Sequence, residues 1–146
     1  MAGQPMRTLM YDERFVTPMR EELTRLGVHE MRTGADVERV LGEAQGTTLV
    51  VVNSICGCAA RNARPAVARA LENARRPDRL TTVFAGQDAE ATARAREYFA
   101  PYPPSSPQIA LLKDGSVAFM LERRQIEGRA AEDIARELAS AFDKYC

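Results

Sequence analysis

A chain of 146 residues is long enough for one compact core and too short for two ordinary domains. Twenty basic residues balance twenty acidic ones, so no overall field draws the protein to nucleic acid or to an anionic membrane. With 45% hydrophobic and 27% charged residues the composition is that of a folded chain, and no apolar run reaches the ~20 residues of a membrane span. The opening residues, Met1 to Thr8, lack the apolar run of a signal peptide, so a cytoplasmic location is expected. Three cysteines in a reducing compartment point to reactivity or metal binding rather than to a structural disulfide framework.

The chain reads as a single domain over 1–146, with 1–14 as a loosely ordered N-terminal segment. Thr17-Pro18 predicts an N-cap and first-turn proline for a helix that places Met19, Leu23 and Leu26 on one face and stops at Gly27. A short strand is expected at 28–31, followed by a helix capped by Thr33, carrying Val37, Val40 and Leu41 and ended by Gly46. The stretch 47–52, Thr-Thr-Leu-Val-Val-Val, is apolar or β-branched at consecutive positions, the pattern of a strand covered on both faces. After Asn53-Ser54-Ile55-Cys56-Gly57-Cys58, an Ala- and Arg-rich run over 59–75 predicts a helix kinked at Pro65.

A second buried strand is expected at 80–85, with Asp88 capping a helix that runs to about Tyr98. Residues 100–107 hold four prolines, too many for a helix or a central strand, and predict a loop. Residues 109–112, the turn Lys113-Asp114-Gly115 and 117–121 read as a β-hairpin, and Ile134, Leu138, Phe142 and Tyr145 mark an amphipathic C-terminal helix. With the leading helix set aside, the order is strand, helix, strand, helix, strand, helix, hairpin, helix. That order predicts an α/β protein of the thioredoxin-like fold, a central mixed sheet flanked by helices with an additional N-terminal helix. The Ser106-Pro107 step, directly before the hairpin, falls where that fold places a cis-proline and is expected to be cis.

The cysteine pair sits at a strand-to-helix junction, and the position has a chemical reason. Unpaired N–H groups and the positive end of the helix dipole favour thiolate over thiol. Cys56, ahead of the helix, is the candidate nucleophile; Cys58, nearer the first turn, is placed to resolve a mixed disulfide formed on Cys56. A disulfide closed across C-x-C is strained, and Gly57 gives the backbone the freedom to form it. Arg61 and Arg64 offer positive potential near the motif, and Asn53 and Ser54 offer hydrogen bonds. Ser106, Pro107, Arg64 and Asn53 are the candidate substrate-binding residues.

Two other classes fit the motif: a metal-binding or metal-transfer module using the Cys56 and Cys58 thiolates, and a redox-inert thioredoxin-like interaction domain. A metal would need further ligands, and only His29 and Cys146 are left to supply a thiol or imidazole; no metal site is expected. Cys146 is a second resolving thiol, a regulatory one, or merely an exposed terminal one. His29 reads as structural or solvent-facing. Tyr98, Phe99 and Tyr102 flank the proline loop, as groove or as core.

The blocks Thr47-Thr48-Leu49-Val50-Val51-Val52-Asn53-Ser54, Cys56-Gly57-Cys58-Ala59-Ala60 and Ala63-Arg64-Pro65-Ala66 resemble the bacilliredoxin family of thioredoxin-like proteins. Pro18-Met19-Arg20, Val83-Phe84-Ala85-Gly86-Gln87-Asp88, Ser105-Ser106-Pro107, Ala110-Leu111-Leu112-Lys113, Ile126-Glu127-Gly128 and a cysteine at the chain end agree with it. The resemblance implies a thiol-disulfide oxidoreductase that removes bacillithiol from S-bacillithiolated proteins, with Cys56 as attacking thiolate and Cys58 or a second small thiol releasing the adduct. It also implies weak disulfide isomerase activity. The partners implied are S-thiolated client proteins and bacillithiol, the latter a co-substrate and not a bound cofactor. Oligomeric state is left open.

Overall fold

The computed structural model describes residues 11–146. Its centre is β2 (Thr47–Asn53), in which all seven residues are buried, as the unbroken apolar run predicts. Parallel to it lies β3 (Arg79–Phe84), and β1 (His29–Glu30) pairs with β3 at the edge. On the other side β4 (Gln108–Lys113) runs antiparallel to β2 and β5 (Ser116–Leu121) antiparallel to β4, giving the order β1-β3-β2-β4-β5. Asp114 and Gly115 both have positive φ, 50° and 87°, as a two-residue hairpin turn requires.

Alternate residues of β2 feed two cores. Leu49 and Val51 pack with α3 (Arg64–Ala70) and α6 (Ala131–Tyr145), whose Ile134, Leu138 and Phe142 are fully buried. Val50 and Val52 pack on the other face with α2 (Gly34–Leu41) and α4 (Ala89–Arg96). Thr33 caps α2 as expected, its hydroxyl accepting the Asp36 N–H at 3.0 Å, but the helix ends at Leu41; Gly46 instead turns the chain into β2 with a φ of 78°.

The N-terminal helix α1 (Glu13–Thr24) starts earlier than Thr17-Pro18 indicates. Asp12 caps it by accepting the Arg14 N–H at 2.8 Å, Pro18 lies inside, and Glu13 and Arg14 are helical rather than part of a loose segment. The rest of that segment, 1–10, lies outside the described residues. The inward face of α1 carries Val16, Arg20 and Leu23, so a buried arginine stands among the apolar positions. Arg20 is 4% exposed; its guanidinium bonds Glu30 at 2.6 Å, Asp88 at 2.7 Å and Glu13 at 2.7 Å and stacks 5.2 Å from the Phe84 ring centre. Asp88 keeps its place ahead of α4, but its carboxylate serves Arg20 rather than capping the helix.

The helical run after the cysteines is also reshaped. Over Ala59–Ala63 it widens to a π-type turn, with the Arg64 N–H reaching the Ala59 carbonyl, and it ends as α3 at Ala70 rather than at 75. Pro65 has no N–H to give, and the wider turn directly before it accommodates that loss. A four-residue helix absent from the sequence reading, α5 (Arg123–Ile126), follows β5 behind a reciprocal Glu122–Gln125 capping box.

Candidate active site

Strands β2 and β4 end together at one edge of the sheet. The last pair there is Val52–Gln108, so the next residues along each strand are Asn53, which leads to the cysteines, and Pro107. Ser106-Pro107 is cis, as expected, and Ala100-Pro101 is a second cis bond that the sequence reading did not anticipate. Pro107 is buried and Ser106 half-buried, its carbonyl accepting Arg123 Nη1 at 3.3 Å.

All three cysteines are free thiols, Cys56 half-buried and Cys58 only 8% exposed. The Ser54 hydroxyl donates to Cys56 Sγ at 3.2 Å and accepts the Cys56 N–H at 3.3 Å. Burial pushes the Cys56 thiol up, but the Ser54 hydroxyl, the Ala59 N–H and the Cys58 thiol and N–H together outweigh it, so the net shift is downward. Cys58 is shifted upward, by burial first and then by its hydrogen bond to Cys56 and the charge on Cys56. The pair is therefore polarised: a reachable sulfur shifted toward thiolate beside a buried one shifted toward thiol.

Arg64 and Asn53 lie beneath the motif rather than on its surface, which corrects their reading as substrate-binding groups. Arg64, 3% exposed, donates Nη1 to Asn53 Oδ1 at 2.8 Å and to the Ser54 carbonyl at 2.9 Å, and Nε to Glu22 at 2.8 Å. Asn53, 2% exposed, accepts the Ser54 N–H at 2.9 Å and donates to the Met19 carbonyl at 3.2 Å. Both residues hold Ser54, and Ser54 holds Cys56. Glu22 and Met19 come from α1, so the additional helix buttresses the reactive loop.

Gly57 does not adopt positive φ in this reduced state. A Cβ there would stand 2.6 Å from Arg61 Nη2 and 3.0 Å from Arg61 Cζ, the flexible end of an exposed side chain that lies over the glycine and can turn aside. Arg61 is thus beside the motif and exposed, unlike Arg64. Arg123 also stands at this site and was not singled out by the sequence. Its backbone N–H bonds Ser105 Oγ at 3.2 Å, its side chain holds the Ser106 carbonyl, and the charges of Cys58 and Cys56 raise its own pKa. The one sequence signal for it was Gln125 three residues after Glu122, a capping pattern with glutamate in the place usually taken by serine or threonine.

The remaining candidates are not brought to the site. Cys146 stands at the other end of the sheet, where the neighbouring Tyr145 carbonyl accepts Lys113 Nζ at 3.2 Å and Lys113 pairs with Thr47 at the start of β2. A seven-residue strand separates that end from Cys56, roughly 20 Å, so Cys146 is no resolving thiol within this chain. His29 is exposed on edge strand β1, Phe99 is core, Tyr98 donates to Glu38 at 2.9 Å, and Tyr102 is 39% exposed. Among the described residues no three His, Cys, Asp or Glu side chains group as metal ligands. No helix there is long and apolar enough to cross a membrane.

Ser54→Ala is expected to raise the Cys56 pKa, since it removes the largest single influence lowering it. Iodoacetamide labelling of Cys56 should slow several-fold at mildly acidic pH and recover at alkaline pH, where either thiol is ionised. An unchanged pH profile would show that the Ser54 hydroxyl does not stabilise the thiolate.

A family model described as disulphide isomerase matches residues 11–146. Curated bacilliredoxins are close in sequence: that of Koribacter versatilis is 53% identical over 137 residues, covering 94% of each chain. The bacilliredoxin of Salinibacter ruber is 55% identical over 138 residues, 93% of this chain and 81% of that one. That of Geobacillus kaustophilus is 53% identical over 137 residues, 93% and 94%. A solved structure described as having a thioredoxin fold aligns with a TM-score of 0.59 over 78% of this chain and 92% of its own, at 17% identity, which speaks for the fold alone. Sheet order, a cysteine pair at a strand-to-helix junction, a cis-proline at the adjoining strand and identity above one half along nearly the whole chain agree: the chain belongs to the bacilliredoxin family of thiol-disulfide oxidoreductases.

Proposed function

We propose that this protein removes bacillithiol from S-bacillithiolated proteins. The observation that carries the reading is the polarised pair, Cys56 shifted toward thiolate and half-exposed, Cys58 buried and shifted toward thiol, in a chain whose relatives are named bacilliredoxins. The Cys56 thiolate attacks the bacillithiol sulfur of the mixed disulfide. That S–S bond breaks, the client sulfur departs with the electron pair and takes up a proton, and a new disulfide joins bacillithiol to Cys56. Cys58 then gives up its proton and displaces bacillithiol as thiolate, leaving a Cys56–Cys58 disulfide, or a second small thiol performs the displacement. An external thiol reductant restores the dithiol. Bacillithiol enters as co-substrate, and the chain's own groups supply acidity, position and the resolving sulfur.

Ser106 and Pro107 form the substrate-facing edge in this reading, presented at the same end of the sheet as Cys56. The test is incubation with one client protein carrying either bacillithiol or glutathione, following intact mass. In the Cys58→Ser protein, where no resolving thiol clears the adduct, transfer of the bacillithiol mass to Cys56, faster than that of glutathione, is the expected result; no adduct from either would refute the reading. The name of the matching family model favours a second activity, disulfide isomerisation by the same nucleophile. It would appear as regained activity in a client with scrambled disulfides.

A further inference from the structure

We propose that Arg96 is a positioning residue for the substrate-facing edge: by holding the Ser105 carbonyl it fixes the Ser105–Ser106 peptide and so aims the Ser106 N–H at an incoming client. The inference rests on the reading of Ser106 and Pro107 as that edge and names what sets its direction.

Arg96 is the last residue of α4 and is half-buried. Its Nη2 donates to the Ser105 carbonyl at 2.8 Å, while its Nε is buried without a partner in the described structure. Arg94, two residues earlier, pairs with Glu38 and Glu97. Arg96 has no such partner among the described residues, and burial, unopposed, pushes its pKa down. A guanidinium drawn partly out of water with no counter-charge is costly, and the acceptor it takes is a loop carbonyl. Gln108 makes a matching contact. It is fully buried, its amide donates to the Pro103 carbonyl at 3.2 Å, and its Oε1 is left without a partner in the described structure. Gln108 pairs with Val52, whose side chain lies on the α2 and α4 face of the sheet, so both braces reach the loop from that face.

Backbone geometry carries the consequence. The Ser105–Ser106 peptide is trans, so its N–H points opposite to its carbonyl and away from Arg96. Pro103, Pro104 and Pro107 have no N–H, and Arg123 already takes the Ser106 carbonyl. The donors of this stretch without a backbone partner are the N–H groups of Ser105 and Ser106, and only that of Ser106 belongs to the peptide Arg96 grips. A client carbonyl beside the reacting disulfide would meet that donor, whereas a small disulfide has no such carbonyl to offer. Arg96 itself touches neither; it acts through the peptide plane it holds.

The experiment uses the Cys58→Ser protein, in which adducts stay on Cys56, and two donors: a reporter protein carrying 2-mercaptoethanol as a mixed disulfide, and bis(2-hydroxyethyl) disulfide. With each, the Cys56 thiolate attacks a disulfide sulfur, that S–S bond breaks, and the departing sulfur leaves as thiolate and takes up a proton; peptide mass reads the adduct at Cys56. Adding Arg96→Met, similar in length but without a donor, should slow uptake from the reporter about fivefold, the scale of one lost hydrogen bond, with uptake from the small disulfide and iodoacetamide labelling of Cys56 changed by less than about twofold. Arg96→Lys, which keeps a donor, should recover part of the loss. A merely structural role would slow both donors alike or neither, and either result would overturn the inference while leaving adduct transfer standing. A second measurement needs no Arg96 variant. Hydrogen exchange at the Ser106 amide should be slower when Cys56 carries a short blocked peptide centred on cysteine than when it carries 2-mercaptoethanol, and equal exchange would overturn the inference too. No adduct from either donor would instead remove the transfer reading beneath it.

Discussion

Cys56→Ser is expected to cut adduct transfer by more than about a thousandfold, the scale on which loss of a covalent nucleophile acts. Cys58→Ser should behave differently in kind. Attack by Cys56 remains available, but the buried thiol that would release the adduct is gone, so the mixed disulfide on Cys56 accumulates and persists until a second thiol arrives. The asymmetry follows from the geometry: Cys56 receives the Ser54 hydroxyl and is half-exposed, whereas Cys58 is 8% exposed and shifted toward its protonated form. Labelling with pH should agree, Cys56 reacting through a midpoint below that of an ordinary cysteine and Cys58 through one above it. Intact mass after exposure to a thiolated client reads both variants. An adduct trapped on Cys58 in the Cys56→Ser protein would reverse the two roles.

The largest expected loss of stability comes from Arg20→Met. Removing this guanidinium leaves Glu30 and Asp88, 17% and 10% exposed, as uncompensated charges around an apolar side chain; Glu13, at 38%, can turn toward water and contributes less. Breaking a buried ion network in this way costs about 3–5 kcal/mol, which would lower the midpoint of urea unfolding by roughly 1–3 M. A linked pH effect has a definite sign. The Arg20 guanidinium, working against partial burial, holds the Glu13 carboxyl below the usual carboxylate range. That stabilisation is complete above the ordinary carboxylate pKa and is lost as pH falls through the lowered one, so the unaltered protein should lose stability on acidification more steeply than Arg20→Met. A midpoint unchanged by the substitution would mean that the network carries no net stability.

The elements legible in the sequence are those governed by local pattern. The β2 run reads correctly because six consecutive apolar or β-branched residues can only be buried on both faces. The hairpin reads correctly because Asp114-Gly115 tolerates positive φ, and the place of the cysteine pair between a strand and a helical run reads correctly because a buried apolar run precedes it and an Ala-rich run follows it. What the sequence hides is the burial of arginines. Arg20 and Arg64 look like surface residues, and their burial depends on partners the fold gathers from several elements, among them Asp88 and Glu22, 68 and 42 positions away. Arg123 reaches the site through a helix too short to announce itself by periodicity. Helix ends fail for a related reason: α1 takes its start from a capping aspartate rather than from the proline, and α3 stops where the chain must turn back toward β3.

The leading helix α1 makes the reactivity of this protein adjustable from a distance. A relay of polar contacts runs from Glu22 on that helix through Arg64 to Asn53 and the Ser54 carbonyl, and so to the hydroxyl that sits on the nucleophilic sulfur. Its outer end, Glu22, is 40% exposed, while everything inward of it as far as Ser54 is sealed. A substitution on an open helix surface can therefore retune a thiol it never touches, leaving the sheet and the cysteine motif unaltered. Lineages or engineers seeking a faster or slower sulfur have in this added helix a dial placed outside the reaction chamber.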